Sequence, residues 1–209
     1  MKGYFITAEG LDGCGKTTQL SNIASYFEQN GREVILTREP GGTKLGEKIR
    51  ELLLDVDNMG MNSVAELMLY AAARAQIVSE LIVPAVNQGK IVICDRFLDS
   101  SIAYQAYGRR LGVETVEGIN AYALQGCKPD ITFFFDISPQ EIAKRKTRKE
   151  KLDRVELENI DFHERVYNGY LELAKAQRER IVVIDSRRGI GEVFEDVKSY
   201  LSSLLEGKS

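Results

Sequence analysis

The eight residues Gly10-Leu11-Asp12-Gly13-Cys14-Gly15-Lys16-Thr17 fit the spacing G-x-x-x-x-G-K-[ST], a set of residue types suited to holding a polyphosphate. Glycines let consecutive backbone N–H groups turn toward an anion, and the start of the following helix adds unpaired donors and the positive end of its dipole. In such a loop Lys16 reaches the β- and γ-phosphates of a nucleoside triphosphate, and the Thr17 hydroxyl ligates Mg2+. A glycine-rich turn without that task requires neither Lys16 nor Thr17. Cys14 lies inside the loop, where the expectation is a small filling residue rather than an activated thiol.

A loop of this kind works only between a strand and a helix, and the sequence predicts both. Apolar, β-branched runs place strands at 4–9, 33–38, 91–95, 131–136 and 181–185. Their continuous apolar cores, such as Val34-Ile35-Leu36 and Ile91-Val92-Ile93, are those of strands covered on both faces. Helical patterns run at 16–29, 44–54, 64–87, 100–107, 116–125, 139–147, 159–180 and 191–205. This alternation predicts an α/β fold, a five-stranded parallel sheet flanked by helices on both faces. Ligands on such sheets gather at the carboxyl ends of the strands. The glycine loop, Arg38-Glu39-Pro40-Gly41-Gly42, Asp95-Arg96 and Asp185-Ser186-Arg187-Arg188 all fall there.

The chain has 209 residues, 44% apolar and 28% charged, which suits one domain over 1–209. A formal charge of −3 provides no overall attraction to nucleic acid or to an anionic membrane, so neither partner is expected. The first strand begins almost at Met1, leaving no room for a signal peptide, and no apolar run is expected to reach the length of a membrane span. Three widely spaced cysteines without a C-x-x-C pair argue against a disulfide framework or a zinc site. A cytoplasmic location follows as the expectation.

One segment departs from the average composition. Lys144 to Arg154 holds seven cations against two carboxylates. Charge runs are usually solvated helix faces, but beside a polyphosphate site this one predicts a mobile basic lid at about 145–156. Among nucleotide users, the absence of N-K-x-D weakens a guanine-specific switch, and no second basic, aromatic-interleaved surface points to a helicase. A small-molecule kinase remains, with an ATP-driven regulatory switch as the alternative from another class. A switch would not require arginines placed for a second phosphate.

The set Glu9 to Thr18, Thr37-Arg38-Glu39-Pro40-Gly41-Gly42-Thr43, Tyr70-Ala71-Ala72-Ala73-Arg74, Asp95-Arg96-Phe97 and Leu152-Asp153-Arg154 resembles the bacterial thymidylate kinases, in order and across nearly the whole chain. The resemblance implies transfer of the γ-phosphoryl of ATP to dTMP, with Mg2+ and as a homodimer. It implies that Gly10, Leu11, Asp12, Gly13, Cys14, Gly15, Lys16, Thr17 and Thr18 hold ATP, with Arg187 in the loop beside adenine. It implies that Arg96 and Arg38 contact the acceptor phosphate, that Glu39 shapes the loop there, and that Asp95 and Thr17 lie at the metal. Asp12 is implied near the acceptor sugar or a metal-bound water. Tyr70 would stack on the base and Arg74 donate to its O4, Ser101 and Gln105 would border base and sugar, and Tyr104 would crowd the 2′ position. Some relatives carry an arginine where Gly13 stands; here the charge would come from the lid, from Arg145, Arg148, Lys149 or Arg154, with the choice between Arg148 and Lys149 open.

Overall fold

In a computed structural model, residues 2–145 and 152–205 are described. Five parallel strands, β1 (Tyr4–Glu9), β2 (Val34–Arg38), β3 (Ile91–Asp95), β4 (Ile131–Asp136) and β5 (Ile181–Asp185), lie in the order β2-β3-β1-β4-β5. Central β1 is buried along its whole length, whereas the edge strands β2 and β5 are partly exposed. Alternate residues of β1 face opposite ways, as the two-residue strand period requires. Ile6 packs with Leu20, Ile23 and Phe27, and Phe5 packs with Ile77, Val78 and Ile82 on the other side. Helices thus cover the sheet from both faces, and the strand ends converge on one edge.

Around the sheet run α1 (Lys16–Gln29), α2 (Lys44–Leu54), α3 (Ser63–Ile77), α4 (Val83–Asn87), α5 (Leu98–Ser101), α6 (Val113–Leu124), α7 (Pro139–Arg145), α8 (Ile160–Ala176) and α9 (Ile190–Leu205). Local chemistry sets several boundaries. Thr43 caps α2 by accepting from Gly46 N at 2.9 Å, and Asn159 caps α8 by accepting from Phe162 N at 2.9 Å. The residue expected to begin that last helix is therefore its cap.

The predicted helix at 64–87 is one helical run, Ser63–Asn87, with a change of hydrogen-bond pattern inside it. A π-helical turn, Val78–Ile82, joins α3 to α4, whose first turn carries Pro84. Proline lacks an N–H and its ring clashes with the carbonyl four residues back, so the regular ladder cannot run through it. A second π-helical stretch, Ile102–Gly108, extends α5, which begins at Leu98 rather than at residue 100. The helix expected at 116–125 spans Val113–Leu124, and α8 stops at Ala176, four residues short of the expected end.

The continuous helical run Ser63–Asn87 also corrects the expectation about apolar length. By length and composition it could cross a membrane, with 39% of its apolar window buried in the fold. It nevertheless carries the buried charges Glu66 and Arg74, both ion-paired, and packs on α2 and α6 as a core helix.

Candidate active site

The glycine loop closes the top of β1. Gly10, Gly13 and Gly15 have φ of +140°, +90° and +95°, a region that side chains strain to enter. A Cβ on Gly10 would meet the Phe135 carbonyl oxygen at 2.8 Å, whereas the space beside Gly15 is open. No side chain caps α1 at Gly15. Lys16 is buried and its Nζ donates to the carbonyls of Gly10 at 3.0 Å and Leu11 at 3.2 Å. Thr17 and Thr18 are exposed at the start of the helix.

Beside this loop Arg96 follows β3. It has φ +69°, and its backbone N–H donates to the Ala8 carbonyl at 2.9 Å. Its Nη2 pairs with Asp12 Oδ1 at 2.8 Å, and its Nη1 donates to Ser100 Oγ at 3.2 Å and Tyr170 Oη at 3.1 Å. The guanidinium also sits 5.1 Å from the centre of the Tyr104 ring. Its neighbour Asp95 has a buried Oδ1 without a hydrogen-bond partner. Arg96 thus stands where the glycine loop meets a second pocket.

That pocket gathers Asp12, Glu39, Tyr70, Arg74, Arg96, Ser101, Tyr104 and Gln105. Arg74 lies at its floor, 1% exposed, donating four hydrogen bonds and ion-paired with Glu39. Nε and Nη2 both face Glu39 Oε2, at 2.9 and 2.6 Å. Nη1 donates to Ser101 Oγ at 3.0 Å and to Asn120 Oδ1, and Nη2 also donates to the Phe97 carbonyl at 3.0 Å. Burial pushes the Glu39 carboxyl up to about 7 against the opposing pull of Arg74. Burial likewise raises the Tyr70 and Tyr104 hydroxyls, so both stay neutral and can donate.

Arg38 turns away from this group to Glu47 at 2.8 Å and is half exposed. Arg50, absent from the sequence-based expectations, lines the pocket instead and donates to the Pro40 carbonyl at 2.9 Å. Burial, and next the nearby Arg38 charge, lower the Arg50 pKa. Gln105 is engaged by Glu66, with Nε2 to Oε1 at 2.9 Å.

Among the expected lid cations, Arg148 and Lys149 lie outside the described residues. Arg145 ends α7 and donates to the carbonyls of Ser186 and Arg187 at 3.0 Å each. Arg154 is not a solvent-facing cation. It is 2% exposed, donating to the Leu53 carbonyl at 2.8 Å and to Glu66 Oε2 at 2.7 Å. Glu66 also binds Arg109, at 3.1 and 3.0 Å. Burial alone would raise the Glu66 carboxyl, but hydrogen bonds from Arg109, Gln105 and Arg154 hold it below its ordinary value. The physical reason for the difference is this carboxylate, which anchors Arg154 between α2 and α3. Arg187 is exposed and closed onto Asp185 at 2.8 Å.

Glu9, at the end of β1, is fully buried and accepts three hydrogen bonds, from Phe97 N at 2.7 Å, Ser100 Oγ at 2.5 Å and Tyr170 Oη at 3.0 Å. Burial, and next the Asp99 charge, raise its pKa from 4.5 to about 7. A carboxyl raised in the folded state stabilises the fold fully below its unfolded value, and that contribution is lost as pH rises through the folded one. Between pH 5 and pH 8 the melting temperature of the wild type should therefore fall more than that of Glu9→Gln. Equal slopes in thermal melts would contradict this.

A sequence model of the thymidylate kinase family matches residues 8–197. The chain belongs to the thymidylate kinase family. It is 48% identical over 205 residues to a thymidylate kinase of Thermoanaerobacter sp. (strain X514), covering 96% of this chain and all of that one. It is 50% identical over 190 residues to a thymidylate kinase of Finegoldia magna, covering 91% and 93% of the two chains. The crystal structure of thymidylate kinase from Ehrlichia chaffeensis superposes with a TM-score of 0.77 at 36% identity, covering 97% of this chain and 99% of that one. Members of this family are nucleoside monophosphate kinases that take ATP as donor and dTMP as acceptor, so the protein is a phosphotransferase.

Proposed function

We propose that this chain transfers the γ-phosphoryl of ATP to dTMP, giving dTDP and ADP. The observation that carries this reading is the place of Arg96, held by Asp12 of the glycine loop on one side and by Ser100 and Tyr170 on the other. A guanidinium there serves both the transferring phosphoryl and the acceptor phosphate. A dTMP phosphate oxygen attacks the γ-phosphorus in line as the bond to the bridging oxygen of ADP breaks. The acceptor phosphate has a second pKa near 6 and is ionised at neutral pH, so no general base is required. The demand is for positive charge between two polyanions, which Lys16 and Arg96 meet.

The residues present fit a divalent ion carried in with the nucleotide. Among the described residues no cluster of three or more His, Cys, Asp or Glu could hold a metal by itself. The partnerless Asp95 Oδ1 and the Thr17 hydroxyl suit an ion bound mainly through phosphate and water. Mg2+ there would neutralise charge developing on the phosphates. Arg145, Arg148 and Lys149 belong in this reading to a lid at about 145–156, whose base is tied to the 186–187 loop by Arg145. Tyr70, Arg74, Ser101 and Tyr104 form the dTMP side, Arg38 would have to leave Glu47 to join them, and Arg187 flanks adenine.

The reading includes one domain over 1–209, a homodimer and a cytoplasmic location. Exposed Leu45, Leu52, Met59, Val64 and Met68 on and between α2 and α3 favour a partner surface. Unpaired Cys14, Cys94 and Cys127 favour a reducing compartment. ADP release should be fastest with dTMP when dTMP, dUMP, dCMP, thymidine and no acceptor are compared. Release independent of the acceptor would favour the regulatory switch instead.

A further inference from the structure

Arginine can only donate hydrogen bonds, and an ionised carboxylate can only accept them. Arg96 Nη1 donates to both Ser100 Oγ and Tyr170 Oη, so each hydroxyl must direct its own hydrogen elsewhere. Glu9 Oε2 lies 2.5 Å from the first and 3.0 Å from the second. The two hydroxyls also lie 2.8 Å from each other, so Arg96, Ser100, Tyr170 and Glu9 form one connected network. Glu9 Oε1 also accepts from Phe97 N at 2.7 Å, holding the backbone next to the positive φ of Arg96. The Tyr170 ring is fixed by stacking on Phe134, with centroids 5.1 Å apart and planes 18° apart, and by the edge of Tyr104 at 6.3 Å. Burial of Glu9 and Tyr170 strengthens every bond in this set.

We propose that Glu9 and Tyr170 are positioning residues for phosphoryl transfer, with Ser100 as the parallel link, and that they act by fixing the Arg96 guanidinium. The inference rests on the kinase reading given above. Neither residue reaches the reacting phosphates itself. Their effect is on geometry, where displacement of a catalytic group by about 1 Å costs on the order of a hundredfold in rate.

The test is a double-mutant cycle on the full chain, measuring kcat and KM for dTMP and ATP. Tyr170→Phe should lower kcat about tenfold and Glu9→Gln ten- to a hundredfold, each leaving KM for ATP within about twofold, as expected for a supporting shell. In an Arg96→Ala background the same changes should cost less than about twofold, because the group they position is gone. Equal losses in both backgrounds, or no loss in the wild-type background, would overturn the proposal. Tyr170→Phe keeps the ring and its packing, so it decides the matter if Glu9→Gln fails to fold. The NMR order parameter of the Arg96 Nε–H bond should fall in Tyr170→Phe, and an unchanged value would overturn the proposal without reference to turnover. A wild type inert toward dTMP would instead defeat the kinase reading.

Discussion

Replacing Arg96 by alanine should lower kcat for dTMP by about a thousandfold or more, roughly 4 kcal/mol of lost transition-state stabilisation. Cations aimed at a transferring phosphoryl have effects of this order. ATP affinity should change little, because Lys16 keeps its bonds to the Gly10 and Leu11 carbonyls when the Asp12–Arg96 pair is lost. Single-turnover kinetics alongside ATP titration would separate the two. A kcat within tenfold of wild type would remove Arg96 from the transfer step.

Arg74→Ala should be the most damaging change to stability in the acceptor pocket. It leaves the Glu39 carboxylate buried without its cation, and breaking a buried pair in this way costs about 3–5 kcal/mol. For a chain of this size that corresponds to a fall in melting temperature of about 10 °C. Glu39 is already raised to about 7, and losing Arg74 raises it further. The deficit should therefore be larger at pH 8, where the orphaned carboxyl tends to ionise, than at pH 6, where it is neutral. Adding Glu39→Gln should recover part of the loss by removing the charge. Both Nη1 N–H groups are already engaged, so a thymine O4 approaching Nη1 would have to share or displace the Ser101 or Asn120 bond. Selection of dTMP over dCMP should accordingly weaken in any Arg74→Ala protein that folds. An unchanged melting temperature would contradict the buried-pair account.

Much of this site is written in local sequence. The glycine loop and four of the five strands match their expected bounds, and β2 begins one residue later than expected. Strong signals of this kind come from short-range chemistry, namely glycines at positive φ, β-branched runs and a Lys-Thr pair at a helix start. The partners of those residues are another matter. Glu9 and Tyr170 lie 161 positions apart and meet only in the fold, where α8 packs on the Ile102–Gly108 stretch. Arg154 sits in a run of cations that reads as a mobile lid, yet Glu66, 88 positions away, draws it into the interior. Asn120 carries no motif and meets Arg74 only because α6 packs on α3. The π-helical turns escape periodicity because a single wide turn changes the face that later residues present without changing their composition.

Following the labelled γ-phosphate of ATP separates phosphoryl transfer onto a nucleoside monophosphate from simple hydrolysis. With Mg2+ and dTMP the label should pass into dTDP, with far less transfer to dCMP and none to the 5′-hydroxyl of thymidine. Label recovered only as inorganic phosphate, at the same rate with every acceptor, would contradict transfer.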